Sequence, residues 1–521
     1  MSQSFMKGAL IITLASLISK LLGSLFRIPL QNIAGDEVFG IFSIVYPVYM
    51  AVLILSVAGI PLAVSKLISE ARINGGENHI RDIHRTGSIL ACSFGISAFL
   101  VILLIAAPFA SLLGGEFAEI SLIVVSASLL IAPYMAVYRG YFQGFQEMGP
   151  TAFSQVLEQF VRVFFILLFA YILVQQGYSA SVVAGGVMTG SIFGALASFI
   201  YLRRKFVTSP LRPEADRKYS FRDFKKWTKT ILYLSLPICV GALAMALVNF
   251  IDSVTVPGQL GAGGAEDLDI AAQYGYYGRG LTLVQIVVVF AQALILPLIP
   301  LLSASLKEKD DEKTSLITEQ ALKFMHVAAW PAAIGLFVLT VPLNFVLFGD
   351  TQANEVLAVV HLSAAATSFA VLTTGILQGM NKQILSAGIV LGASLVKIVL
   401  NIILIRYFGL IGVAWSTFIV YILLSVWNLW VMKRTISFRL FGNREGRAVA
   451  AAVLMGVSLY IPLLWTAPET WGRSMALMFT VLLIAGGGIL YGVFLLLLKA
   501  VSKEELKNIP VIGPKISRLY R

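Results

Sequence analysis

The chain has 521 residues, 58% hydrophobic and 13% charged, and an ordinary soluble protein would carry about a quarter charged residues. Its apolar segments are continuous runs of about twenty residues, which disfavours a β-barrel of short alternating strands and leaves an all-α polytopic membrane protein. The formal charge of +12 is then a matter of loop asymmetry, and no nucleic-acid partner is implied.

The N-terminal stretch has the outline of a signal peptide, with Lys7 followed by apolar Ala9–Ile18. Lys20, Arg27 and Pro29 follow without a small-residue cleavage pattern, so it is read as a retained first span. In chain order about fourteen spans are expected: 8–30, 39–64, 87–112, 119–138, 152–174, 181–202, 230–255, 276–303, 324–348, 354–379, 384–405, 408–432, 448–467 and 474–498. An even count places both termini on one side. With the N-terminus inside, thirty-two of the 39 Lys and Arg residues fall on the inner side and only Arg406 and Arg473 on the outer. The outer loops carry acids instead, among them Asp36, Glu37, Glu116, Asp267 and Asp350. This positive-inside pattern predicts a multi-pass protein of the cell membrane with both termini cytoplasmic.

An internal repeat divides the chain. Gly140-Tyr141-Phe142-Gln143-Gly144 precedes the fifth span and Gly375-Ile376-Leu377-Gln378-Gly379 precedes the eleventh, an offset of 235. The same offset carries Arg162 onto Lys397. A weaker echo links Ile60-Pro61-Leu62 with Ile299-Pro300-Leu301. The expected organisation is an N-lobe at 1–202, a basic cytoplasmic linker at 203–229, a C-lobe at 230–432, two further spans within 433–498, and a cytoplasmic tail at 499–521. Two lobes of six spans each start on the same side, so the repeat is parallel, and substrate sites in such proteins lie near the midplane. The linker is expected to meet anionic lipid headgroups, and the tail, mixing lysines with apolar residues, to lie at the interface.

Five basic residues fall inside spans: Lys20, Arg27, Arg162, Arg279 and Lys397. Two acids, Glu158 and Asp252, share that depth. A charge at a helix centre costs about 2.5–3.5 kcal/mol, so such residues face a partner or a water-filled cavity. A surplus of cations marks a cavity for an anion. Lys20 and Arg27 are seven residues apart and share a helix face about 10 Å long, with Gly23 between them and Pro29 beyond. Arg27 also has the option of reaching to the outer interface. Arg162 has Glu158 one turn before it as an (i, i+4) partner. Lys397 has no acid in its own span, but Asn401 lies one turn on. Arg279 follows Tyr274, Tyr276 and Tyr277, which read as an interfacial aromatic belt, and Asp252 is a candidate partner for it.

Catalytic signals are thin. The four histidines show no metal-ligand spacing, no P-loop pattern is present, and Cys92 and Cys239 sit singly in apolar runs, so neither an enzyme nor a cofactor is implied. Gly486-Gly487-Gly488 in the last span suits close helix packing.

The stretch Tyr138-Arg139-Gly140-Tyr141-Phe142-Gln143-Gly144, with Met148-Gly149-Pro150-Thr151-Ala152 and Ser154-Gln155-Val156-Leu157-Glu158-Gln159 after it, resembles the Firmicute oligosaccharide flippases. These include the stage V sporulation protein B group and the MurJ-type lipid II flippases, within the multidrug/oligosaccharidyl-lipid/polysaccharide exporter superfamily. The resemblance covers nearly the whole chain, and it implies a flippase that moves an undecaprenyl-pyrophosphate-linked saccharide to the outer leaflet. It further implies a cationic cavity lined by Lys20, Arg27 and Arg279. Lys20 stands where arginine is usual in the relatives, and the spacing to Arg27 is one residue longer. Spans 13 and 14 correspond to a groove for the lipid tail. With Arg162 and Lys397 added, these form the expected substrate site, supported by Glu158, Asp252, Gln143, Gln378 and Asn401. Two other functions compete. A multidrug cation antiporter would need acids in the cavity, and an envelope-assembly scaffold would need no ligand.

Overall fold

The first helix, α1 (Gln3–Leu25), meets α2 (Arg27–Val57) at a bend. Pro29 has no N–H to give to the carbonyl of Leu25, while the hydrogen bonds from Phe26 N to Leu22 O and from Leu30 N to Phe26 O carry the helix across. A second break falls inside α2 at Gly35, where φ is 78° and ψ 177°, a conformation glycine adopts freely. The computed structural model describes residues 3–57, 59–74, 76–213 and 218–501. Arg217 and the greater part of the tail, 502–521, expected at the interface, lie outside the described residues.

After α2 come α3 (Ile60–Asn74), α4 (Gly76–Leu112), α5 (Glu119–Ser126), α6 (Ala132–Gly144), α7 (Met148–Gln175), α8 (Ala180–Val207) and α9 (Phe221–Ala262). The remainder is α10 (Asp267–Lys307), α11 (Asp311–Val338), α12 (Thr340–Phe348), α13 (Asn354–Gly379), α14 (Gln383–Phe408), α15 (Leu410–Lys433), α16 (Asn443–Leu463) and α17 (Arg473–Leu497). No strand occurs among the described residues. Among the described residues, twelve stretches are long and apolar enough to cross a membrane. One of them, Ile11–Ile73, has 63 residues, about three times the roughly 20 that a crossing needs. It is broken after Leu25, at Gly35 and at Gly59, and contains most of the first expected span and all of the second. The seventh expected span falls on α9, so each of the fourteen predicted segments lies largely on helix.

Contacts gather the chain into two units, one of residues up to Gly278 together with Ile384–Val413, the other of Arg279–Gln383 together with residues from Ala414 onward. In the first, Ile60, Val64 and Ile68 of α3 pack with Tyr138, Tyr141 and Phe142 of α6 in an apolar core. The linker is tied to this core. Tyr141 donates its hydroxyl hydrogen to the carbonyl of Leu211, Tyr219 and Thr86 share a hydroxyl hydrogen bond of 2.7 Å, and Arg85 lies over the Tyr219 ring. Ser220 and Asp223 form a capping box that starts α9 there. In the second unit, Leu283, Leu339, Leu343, Met455 and Leu459 form the core. Of the three consecutive glycines in α17, Gly487 makes the packing contact, against Leu459.

The two repeat signals meet each other in space. A Cβ on Gly140 would lie 2.4 Å from the carbonyl oxygen of Pro61, and one on Gly144 2.9 Å from that of Ser65. In the second copy, a Cβ on Gly375 would lie 2.7 Å from Ile295, and one on Gly379 3.2 Å from the Cα of Ile299. In each copy the glycines therefore let α6 or α13 close on the helix that carries Ile-Pro-Leu. The helix ends match as well. Glu147 N bonds Phe142 O and Lys382 N bonds Leu377 O, each at 2.9 Å, and Gln146 (φ 63°) and Asn381 (φ 59°) adopt the left-handed conformation that ends the helix. Gly140→Ala overpacks a backbone contact and lowers stability by about 1–3 kcal/mol. Gly149→Ala, where nothing lies within 4 Å, leaves it unchanged; thermal melting in detergent compares the two.

Candidate functional site

Helix α7 carries a polar stripe in an apolar helix: Gln155, Gln159 and Arg162, spaced to share one face. Helix α1 packs along it. Ser16 donates to Gln155 Oε1 at 3.3 Å, and Gly23 leaves the room that Gln159 fills, a Cβ there being only 3.2 Å from Gln159 Nε2. Ser16, Lys20, Gly23 and Arg27 follow one another at helical spacing on a single face of the first helices. Lys20 keeps an exposed side chain, and no carboxylate pairs with it among the described residues. Arg27 is half-buried, and its Nε is buried without a hydrogen-bond partner.

The expected Glu158–Arg162 pair forms, but Glu158 is shared. Its Oε2 accepts from Arg139 at 2.7 Å while its Oε1 accepts from Arg162. Arg139, assigned by sequence to an inner loop, is half-buried in α6 and also donates to Ser154 and Ser198, each at 3.0 Å. One carboxylate thus serves two guanidinium groups, and one positive charge is left over. Arg162 is 8% exposed and its Nε has no partner. With Lys20 and Arg27, this part of the first unit brings together four cations and one carboxylate, an arrangement that attracts an anion.

Lys397 and Arg279 are in a different condition, both fully buried. The Lys397 ammonium is 3.1 Å from Asp252 Oδ1, and Asp252 also accepts from the Tyr277 hydroxyl and from Asn401 Nδ2, each at 2.9 Å. Asp252 is therefore the partner of Lys397, 145 residues away in sequence. Arg279 takes Asp350 instead, donating to both carboxylate oxygens at 2.7 and 2.8 Å, with a further bond to Asn344 Oδ1 at 3.1 Å and the Phe348 ring beside it. The expected Asp252–Arg279 pair is replaced because Tyr277, two residues before Arg279 and about 200° away around the helix, takes the face toward Asp252. Gln143 and Gln378 are half-buried at the two matching helix ends, where their backbone carbonyls accept from Gln146 N and Asn381 N.

Partial burial pushes the Asp350 carboxyl up, but hydrogen bonds from Arg279 and from the Gln352 N–H outweigh it and hold the group below the usual carboxylate range. Sequence reasoning missed Arg139, Asp350 and Asn344. It quoted Gln155 and Gln159 without assigning them to the site, although their spacing with Arg162 was a readable signal.

Many apolar helices with cations held at depth define an all-α polytopic membrane protein. The chain belongs to the polysaccharide biosynthesis protein family, whose profile matches residues 5–306. It is 30% identical over 520 residues to the uncharacterized membrane protein YabM of Bacillus subtilis (strain 168), covering 99% of this chain and 96% of that one. It is 28% identical to the lipid II flippase MurJ of the same organism, covering 88% and 89%. Among solved structures, an inward closed conformation of lipid II flippase MurJ shares the fold with a TM-score of 0.67 at 16% identity, covering 93% of this chain and 98% of that one. A multidrug resistance MATE family transporter of the MOP superfamily, inward-facing, shares it with a TM-score of 0.65 at 17% identity, covering 80% and 94%.

Two predictions test the paired cations. Lys397→Met strands a buried carboxylate and destabilises the protein by about 3–5 kcal/mol; adding Asp252→Asn recovers most of the loss in a melting experiment. For Asp350, a depressed carboxyl contributes stability above its unfolded pKa of about 3.9 and loses it as pH falls through the lower folded value. The stability advantage of wild type over Asp350→Asn is therefore full at pH 7 and shrinks below pH ~4.

Proposed function

We propose that this protein is a flippase that carries an undecaprenyl-pyrophosphate-linked saccharide from the inner to the outer leaflet by alternating access, in cell-wall or envelope polysaccharide synthesis. Lipid II-like molecules and other polysaccharide precursors fall in this substrate class. The observation that carries the reading is Lys20, a cation within an apolar helix with an exposed side chain and no carboxylate partner among the described residues. Such a charge is costly unless a counter-charge visits it. A pyrophosphate supplies that counter-charge and accepts charge-assisted hydrogen bonds.

The substrate-contacting groups in this reading are Lys20 and Arg27, with Arg162 adding the surplus charge that Glu158 leaves. Lysine binds phosphate as a point charge, which tolerates the rotation of a moving headgroup better than a fixed guanidinium fork does. Lys397 and Arg279 are held instead by Asp252 and Asp350. The similarity to a lipid II flippase over most of the chain supports the reading, as does the polysaccharide biosynthesis family. In this reading the termini lie in the cytoplasm and the basic linker faces anionic headgroups of the inner leaflet. A multidrug antiporter shares the fold, but it needs carboxylates available to cations. The two acids at span depth, Glu158 and Asp252, are both bonded to basic residues.

Lys20→Ala is expected to weaken binding of an undecaprenyl pyrophosphate saccharide to the purified protein by at least about tenfold, while Lys20→Arg retains most of it and both variants melt like wild type. Equal affinity in Lys20→Ala and wild type, by titration in detergent or nanodiscs, contradicts the assignment.

A further inference from the structure

The first unit holds a cavity of about 480 Å³ that the cation face does not explain. Its walls come from the break in α2, from the turn between α7 and α8, and from α10. Ala34 through Val38 all contribute to one wall. On an unbroken helix, with successive side chains about 100° apart, five consecutive residues would not do so; the non-helical Gly35 makes it possible. Two carboxylates, Asp36 and Glu37, and two phenols, Tyr178 and Tyr276, line the space. Gln31, 5% exposed, sits behind Asp36 and donates to its Oδ2 at 3.2 Å, leaving its own Oε1 buried and without a partner. The wall is fixed from the other side as well, since a Cβ on Gly275 would lie 2.4 Å from Asp36 O.

We propose that this cavity is the saccharide subsite of the transported molecule. The inference rests on the flippase reading and extends it to the sugar. Carboxylates accept hydrogen bonds from sugar hydroxyls, and a phenol ring offers a flat apolar face with a polar edge, matching the two kinds of surface on a pyranose. A phosphate would be repelled by Asp36 and Glu37, so the neutral part of the substrate belongs here. Position agrees with this division. Ala34, the last helical residue before the break, follows Arg27 by seven residues, about 10 Å along the helix, so a pyrophosphate at Arg27 places its attached saccharide within reach of the cavity. An organic cation would also suit carboxylates and aromatic rings. Arg27, on the helical segment that leads into this wall, makes that the weaker match, because it raises the local potential against it.

The test compares two ligands on the full-length protein: undecaprenyl pyrophosphate alone, and the same lipid bearing a disaccharide. Tyr178 is 52% exposed and Glu37 is exposed, so Tyr178→Ala and Glu37→Gln do not endanger the fold. Each variant is expected to lose about tenfold or more in affinity for the saccharide-bearing lipid and to bind the bare pyrophosphate lipid as wild type does. Unchanged affinity for the saccharide-bearing lipid overturns the subsite, as does a parallel loss for both ligands. Binding of tetraphenylphosphonium that depends on Glu37, with no sugar selectivity, assigns the cavity to cations and also overturns it. Failure of wild type to bind either lipid separates off as failure of the flippase reading itself.

Discussion

The cost of an uncompensated charge in a low-dielectric surrounding organises this molecule. Each basic group that the sequence places in an apolar helix has to be matched by a carboxylate, by hydrogen-bond acceptors, or by something that arrives. The first two solutions are visible in the chain's own contacts. Arg279 is matched completely, by both oxygens of Asp350 and the amide oxygen of Asn344. Lys397 is matched by Asp252, itself held by Tyr277 and Asn401. Arg162 and Arg139 divide Glu158 between them. Lys20 is left with no such partner among the described residues, and the functional reading grows from that difference.

Local and distant pairings explain what the sequence made legible. Glu158 and Arg162 are one helical turn apart, so their pairing follows from the geometry of a single helix. Asp252 reaches Lys397 across 145 residues, and Glu158 reaches Arg139 on another helix. No spacing rule joins such groups, and only the packing of α9 on α14, or of α6 on α7, brings them together. The apolar spans were readable because each needs about twenty consecutive apolar residues. The breaks at Phe26 and Gly35 were less so, although Pro29 gave notice of the first.

The repeat was legible as two short patterns recurring at offsets of 235 and 239, and its physical meaning emerged in three dimensions. In both halves the Gly-x-x-Gln-Gly segment packs on the helix that carries Ile-Pro-Leu, against the Pro61 backbone in the first and against Ile295, Ile299 and Leu302 in the second. The glutamines between the glycines lie at matching helix ends, where backbone hydrogen bonds and a left-handed residue close the helix. The pattern that first carried the family resemblance is thus in large part a packing device. The charge that sets the site apart lies on α1 and on the polar stripe of α7.

The most direct measurement is transbilayer movement in vesicles reconstituted with the purified protein. A fluorescent undecaprenyl-pyrophosphate saccharide placed in one leaflet should become accessible to a membrane-impermeant quencher on the other side, faster than in protein-free vesicles. The gain should vanish with Lys20→Ala and persist with Gly149→Ala. Transfer no faster than in protein-free vesicles, or equally fast with Lys20→Ala, would contradict the claim that an unmatched cation in the membrane is there to receive a pyrophosphate.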